Sequence, residues 1–254
     1  MRQRGDLGGL APRHLALWAI YTLSKAQHYD DTRDGLWHVC SPAWAVPQLD
    51  DDSLTADEAW RVEKYLARAA CSSSTRSFSD GARLIAAGLC EAVVVGGVDS
   101  LCETSVRGFN ALQLLSPGPC RPNDRDRDGI SIGEAGGFAL LMRARAEDRI
   151  VLSGIGESSD AYHMSSPHPE GKGAIAAMRS ALKTAGLTPG EIGYVNMHGT
   201  GSVYNDKVED MAIAAVIGED TPCSSTKGFS GHTLGGAGIF EAAVTVAAMS
   251  EGFI

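Results

Sequence analysis

Three short stretches combine reactive side chains with small residues and glycine. Ala69-Ala-Cys-Ser-Ser-Ser-Thr75 sets a thiol among small residues just ahead of a helical pattern. A cysteine at a helix N-terminus faces unpaired backbone N–H groups and the positive end of the dipole, and both favour the nucleophilic thiolate. On this segment alone, a buried structural cysteine fits as well. His198-Gly-Thr-Gly-Ser202 places a histidine where an apolar run ends. In parallel sheets, ligands collect beyond the carboxyl ends of strands, although a histidine can also simply satisfy a turn. Ser224-Ser-Thr-Lys-Gly-Phe-Ser-Gly-His232 holds a lysine and a second histidine in a glycine-rich loop before a helix. Such a loop can hold phosphate, but the order G-x-x-x-x-G-K-[ST] is absent.

The elements that must carry these residues follow an α/β rhythm after Cys71. Ser77–Leu89 has helical spacing at Phe78, Ala82, Ile85 and Leu89, with Gly88 near its end. Ala92–Val98 is a short apolar run of the kind buried in a sheet covered on both faces. Gly137–Met142 and Ile150–Ile155 are further strand candidates, and 123–129 is a charged loop expected to be solvated. Ala174–Ala185 is a helix with Ile175, Met178 and Leu182 on one face and Gly186 as its stop. Ile192–Met197 is a strand leading into His198. Asn205 can cap a helix whose first turn carries Asp206, Glu209 and Asp210, and that helix ends at Gly218. A short strand near 222–226 precedes the glycine-rich turn and a long apolar helix from about Gly235, interrupted by Glu241. Strands alternating with helices predict an α/β layered fold with a mainly parallel sheet. Upstream, Thr55–Arg68 reads as a helix opened by Thr55-Ala-Asp-Glu58, and three of the four tryptophans (Trp18, Trp37, Trp44) lie before it.

Composition bounds the function classes. The 254 residues carry 22 Lys plus Arg against 31 Asp plus Glu, a net charge of -9. That acid excess argues against a general nucleic-acid binder, whose phosphate contacts need a basic face. The six cysteines form no C-x-x-C pair, so no metal site is expected, and their scatter suits reduced thiols. No run is long and apolar enough for a membrane span. Leu15–Leu23 follows Arg2, Arg4 and Arg13 but lacks a small-x-small cleavage site, so the expected location is the cytoplasm.

Taken together and in order, Cys-Ser-Ser-Ser at 71–74, His-Gly-Thr-Gly-Ser…Asn-Asp at 198–206 and Ser-Thr-Lys-Gly…Gly-His-Thr-Leu-Gly-Gly-Ala-Gly at 225–238 resemble the β-ketoacyl-acyl carrier protein synthases of the elongating Cys-His-His type. Ala92–Ser100, Arg127–Glu134 and Asp160–Met164 add to the likeness, which runs from about Cys71 to the last residue. The resemblance implies a thiolase-like αβαβα layered fold, incomplete here. Residues 1–68 do not match the family pattern, 69–149 supply the remainder of an N-terminal half with the nucleophile, and 150–254 a C-terminal half lacking its last strands.

It also implies a decarboxylative condensation of an acyl thioester on Cys71 with malonyl-acyl carrier protein, in fatty acid or polyketide-type biosynthesis. His198 and His232 would stabilise the enolate, Lys227 and Glu209 would support them, and Thr200 and Ser202 would contact the pantetheine chain. No cofactor is bound permanently; phosphopantetheine arrives on the acyl carrier protein. That carrier is the expected partner, with a homodimer or a heterodimer with a related ketosynthase. The alternative is an inactive fragment or a non-catalytic partner subunit of a complete ketosynthase.

Overall fold

The computed structural model describes residues 13–18, 70–146, 148–163 and 166–252. The helix expected over 55–68 and the remaining upstream segments lie outside these residues. Strand β1 (Arg13–Trp18) pairs in parallel with β4 (Ile150–Gly156). A 3₁₀ turn at Ala70–Ser72 leads directly into α1 (Ser73–Ala86), which turns Phe78 and Ile85 inward. That helix starts four residues earlier than its apolar spacing suggested, and Gly88 follows its end in a left-handed conformation. β2 (Ala92–Asp99) and β3 (Ala135–Met142) pair antiparallel, with Val95 opposite Ala139.

This antiparallel pair departs from the expectation that Ala92–Val98 is covered on both faces of a parallel sheet, whereas the other two described pairings are parallel. Val93, Val95, Ala139 and Leu141 pack with Phe78, Ile239 and Ala242. On the opposite face Val94, Phe138, Leu140 and Met142 are exposed. Alternation along a strand produces this division, because successive side chains point to opposite faces. A short helix absent from the sequence reading, α2 (Glu103–Ala111), follows β2 and buries no residue.

The second half alternates strand and helix as expected. β4 is followed by α3 (Lys172–Ala185), stopped by Gly186 at φ 68°. Then come β5 (Val195–Asn196), α4 (Val203–Val216), β6 (Cys223–Ser224), the single turn α5 (Lys227–Ser230) and α6 (Ala237–Glu251). β5 and β6 are parallel, so the segments that follow both leave from the same end. Helix α3 lies so close to β4 that a Cβ on Gly156 would sit 1.9 Å from the Ala177 carbonyl oxygen, which only glycine avoids. The core here joins Met178, Ala181 and Leu182 of α3 to Val195, Met197, Ala212 and Ile213. Burying these side chains contributes roughly 1.5–3 kcal/mol for each large one. Asn205 is not the cap of α4; Ser202 precedes the helix, and the Asn205 amide instead donates to Asp206 Oδ1 at 3.1 Å.

Candidate active site

The two halves meet where the three motifs lie. The Cys71 turn is fixed to the second half through α1 and the end of β2. The Ile239 N–H donates to Ser74 Oγ at 3.1 Å, and the Gly235 N–H donates to Asp99 Oδ2 at 2.9 Å. Just before Cys71, Ala70 takes φ 42°, a left-handed conformation that costs a non-glycine residue of order 1–3 kcal/mol. Cys71 is half-buried, ahead of α1 as the sequence suggested. Its thiol, however, is not tuned toward thiolate. Burial pushes its pKa from 9.0 to about 11, and the Lys227 charge offsets only part of that rise.

His198 and His232 come together edge to face, with ring centroids 5.0 Å apart. His198 sits at the mouth of β5. Its N–H and that of Gly199 donate to the Glu209 carboxylate at 2.6 and 2.8 Å, so α4 holds the histidine loop from below. His232 is locked by its backbone: its N–H donates to Ser131 O at 2.7 Å, and its carbonyl accepts from the Gly133 N–H at 3.0 Å. Burial, then the neighbouring Lys227 ammonium, hold both imidazoles well below the ordinary histidine range, with His232 adding to the effect on His198. Both rings are therefore neutral near pH 7, each with one N–H to donate. His232 Nδ1 is buried without a hydrogen-bond partner among the described residues.

Lys227 is 2% exposed and links these parts. Its Nζ donates to the His198 carbonyl at 2.6 Å, approaches His198 Nδ1 at 3.5 Å and forms an ion pair with Glu241. The carboxylate paired with the lysine is thus Glu241. Glu209 instead accepts the backbone N–H groups of the histidine loop, and burial lifts its pKa to about 7 despite those bonds. Thr200 and Ser202 lie on the turn after His198, their hydroxyls 3.0 Å apart. The turn's own N–H groups close on Asp206: Thr200 and Gly201 donate to Oδ1 at 2.9 and 3.2 Å.

All seven expected site residues therefore fall on connected segments around Lys227. Glu241 and Asp206 were missed as site residues. The signal for Glu241 was a charge within the apolar first half of its helix, and for Asp206 its place in the first turn beyond the histidine loop. His163 and His168 stay outside this group; the His168 ring instead packs against Tyr162. No cluster of three or more His, Cys, Asp or Glu among the described residues is placed to hold a metal. None of the described helices is long and apolar enough to cross a membrane.

A family model described as "Beta-ketoacyl synthase, N-terminal domain" matches residues 61–147, and one described as "Beta-ketoacyl synthase, C-terminal domain" matches 150–254. The chain is 38% identical over 207 residues to a mitochondrial 3-oxoacyl-[acyl-carrier-protein] synthase of Arabidopsis thaliana, covering 74% of this chain and 45% of that protein. It is also 38% identical over 199 residues to 3-oxoacyl-[acyl-carrier-protein] synthase 2 of Rhizobium meliloti, covering 72% and 47%. The chain thus spans about half the length of the curated relatives it matches.

Among solved structures, a ketosynthase in complex with its chain length factor from Xenorhabdus doucetiae superimposes with a TM-score of 0.70 at 52% identity. That match covers 72% of this chain and 45% of the other. A type II PKS acyl-carrier protein in complex with its ketosynthase bound to the hexaketide matches with a TM-score of 0.65 at 25% identity, covering 76% and 53%.

Proposed function

The chain belongs to the beta-ketoacyl synthase family and has an incomplete form of its thiolase-like fold, and from this premise we propose that it carries the condensing site of an elongating β-ketoacyl-acyl carrier protein synthase. The observation that carries the reading is the edge-to-face pair of neutral imidazoles at His198 and His232, beside Lys227, which donates to the His198 carbonyl and whose charge also acts on the half-buried Cys71.

Residues 69–149 supply the nucleophile half and 150–254 the histidine half. Cys71 Sγ attacks the carbonyl carbon of an acyl thioester on the phosphopantetheine of an acyl carrier protein. The carbon–sulfur bond to pantetheine breaks, and the proton lost by Cys71 leaves with the pantetheine thiol. Because Cys71 rests as a thiol, its proton must be given up as the new carbon–sulfur bond forms. Malonyl-carrier protein then loses CO₂, and its electron pair forms the new carbon–carbon bond to the Cys71 thioester carbonyl. The Cys71 sulfur is released as a thiolate that takes a proton from water to return to the resting thiol, and the β-ketoacyl product, two carbons longer, stays on the carrier.

His198 and His232 donate to the enolate oxygen formed during decarboxylation, where neutral donors need no reorganisation. Lys227 and Glu209 hold the histidines, and the Thr200 and Ser202 hydroxyls contact pantetheine. No permanent cofactor is required, and the expected setting is a cytoplasmic dimer, with itself or with a related ketosynthase. Intact-protein mass spectrometry after incubation with acyl-acyl carrier protein tests the reading. An acyl adduct on Cys71, lost in Cys71→Ser, is expected; its absence under conditions that load a full-length relative overturns it.

A further inference from the structure

The loop between α2 and β3 touches the turn after His198, the start of α4, and the Lys227 and His232 segments. Cys120 Sγ donates to the Lys227 carbonyl at 2.9 Å, and Ser131 and Gly133 clasp the His232 backbone from both sides. The Asn123 N–H donates to Asp206 Oδ2 at 2.8 Å, and the Gly129 N–H donates to the Gly201 carbonyl at 3.1 Å. The charged stretch at 123–129 within this loop is expected to be solvated, and Arg125, exposed and paired with Asp126, matches that expectation.

Arg127 differs. Its guanidinium donates to three main-chain carbonyls: Asp124 at 2.8 Å, Ser202 at 3.4 Å and Val203 at 3.1 Å. The last two acceptors lie at the start of α4, where the helix dipole disfavours a cation. Helix electrostatics therefore give no reason for the contact, whereas a planar fork spanning three carbonyls is well suited to fixing one loop against another.

We propose that Arg127 is a positioning residue that sets the Gly199–Ser202 turn, and with it the Thr200 and Ser202 hydroxyls, for the pantetheine arm of the substrate. On one side the turn is held by the Asp206 carboxylate, which the loop also grips through Asn123. On the other, Arg127 and Gly129 hold its carbonyls. Removing Arg127 leaves His198 and Glu209 untouched, because their bonds run through the opposite end of the turn. The effect should fall on binding of the arm and not on the reacting atoms.

The inference rests on the condensing-site reading, so its test has one arm that needs turnover and one that does not. In the first, Arg127→Ala is expected to raise KM for an acyl-pantetheine thioester about tenfold with kcat changed less than about twofold, the mark of lost uniform binding. KM for an acyl thiophenyl ester, which has no pantetheine amides, should stay within about twofold, and Arg127→Lys should fall between wild type and Arg127→Ala. Equal effects on both esters, or a fall in kcat alone, overturn the proposal.

In the second arm, hydrogen exchange is followed with and without added pantetheine. The amides of 199–202 should be protected by pantetheine in the wild type and not in Arg127→Ala, while exchange in α1 is the same in both. Protection that survives in the variant, or none in the wild type, overturns the proposal. If the wild type is protected but turns nothing over, the condensing reading fails and the positioning role stands.

Discussion

The protonation of Cys71 can be read directly from its alkylation rate. With a pKa of about 11 against an ordinary 9.0, its thiolate fraction at pH 8 is about 10⁻³, compared with about one tenth for an unperturbed thiol. A thiolate of higher pKa is the better nucleophile, with a Brønsted slope of about 0.4–0.5, which recovers a factor of about eight over that interval. Cys71 should therefore react with iodoacetamide roughly tenfold more slowly than a free reference thiol at pH 8, and its half-burial can only slow it further.

The informative perturbation is removal of Lys227, the cation that draws the Cys71 pKa back down. Lys227→Met alone would leave Glu241 buried without a countercharge, a change that costs about 3–5 kcal/mol and threatens the fold. Lys227→Met combined with Glu241→Gln removes both charges. Lysine has the larger influence on Cys71 of the two, so the thiol pKa should rise further. Carboxamidomethylation of the Cys71 peptide, followed by mass spectrometry from pH 7 to pH 11.5, should give a midpoint near 11 in the wild type and a slower reaction in the double variant. A wild-type midpoint near an ordinary thiol's, or an unchanged rate in the variant, would refute the reasoning that burial governs this thiol.

Three further outcomes are expected. His198→Ala and His232→Ala should each slow malonyl decarboxylation by about 10²–10³-fold, the loss seen when one donor to a developing oxyanion is removed, and the two losses should not add. Glu209 titrates at about 7 in the folded chain against an ordinary 4.5, so its stabilisation is fully present below the lower value and is lost as pH rises through about 7. The histidines, lowered from 6.5, act oppositely: their contribution is present above that value and lost as pH falls. Glu209→Gln removes that falling contribution, so the change of Tm with pH should be more positive than in the wild type between about 4.5 and 7, and parallel slopes would count against the assignment. Gly156→Ala must push α3 away from β4 and should cost about 1–3 kcal/mol, seen as a lowered urea midpoint.

Much of this site was legible because its residues lie on short contiguous motifs. Periodicity placed α3, β4 and the strand before His198, and glycine with histidine at a strand end marked the loop itself. The antiparallel pairing of β2 with β3 was not legible, since a short apolar run looks the same in either direction and does not show whether its second face is covered. The chemical state of Cys71 was misread for a related reason. Position at a helix start argues for thiolate, but burial is a three-dimensional property and outweighs it here. Arg127 was hidden in the same way: its partners are main-chain carbonyls 75 and 76 residues away, and a backbone acceptor leaves no trace in residue types.

One ammonium group serves as the meeting point of segments far apart in the chain. Lys227 is held at its carbonyl by Cys120, and its Nζ bridges the His198 loop and Glu241 of α6. Substitutions at Cys120, His198 and Glu241 should consequently be epistatic, with an exchange harmful at one position becoming tolerable only when another has changed. Laboratory evolution of this chain would then have to alter these positions in a restricted order, and single-site scanning would underestimate the sequences the site can accept.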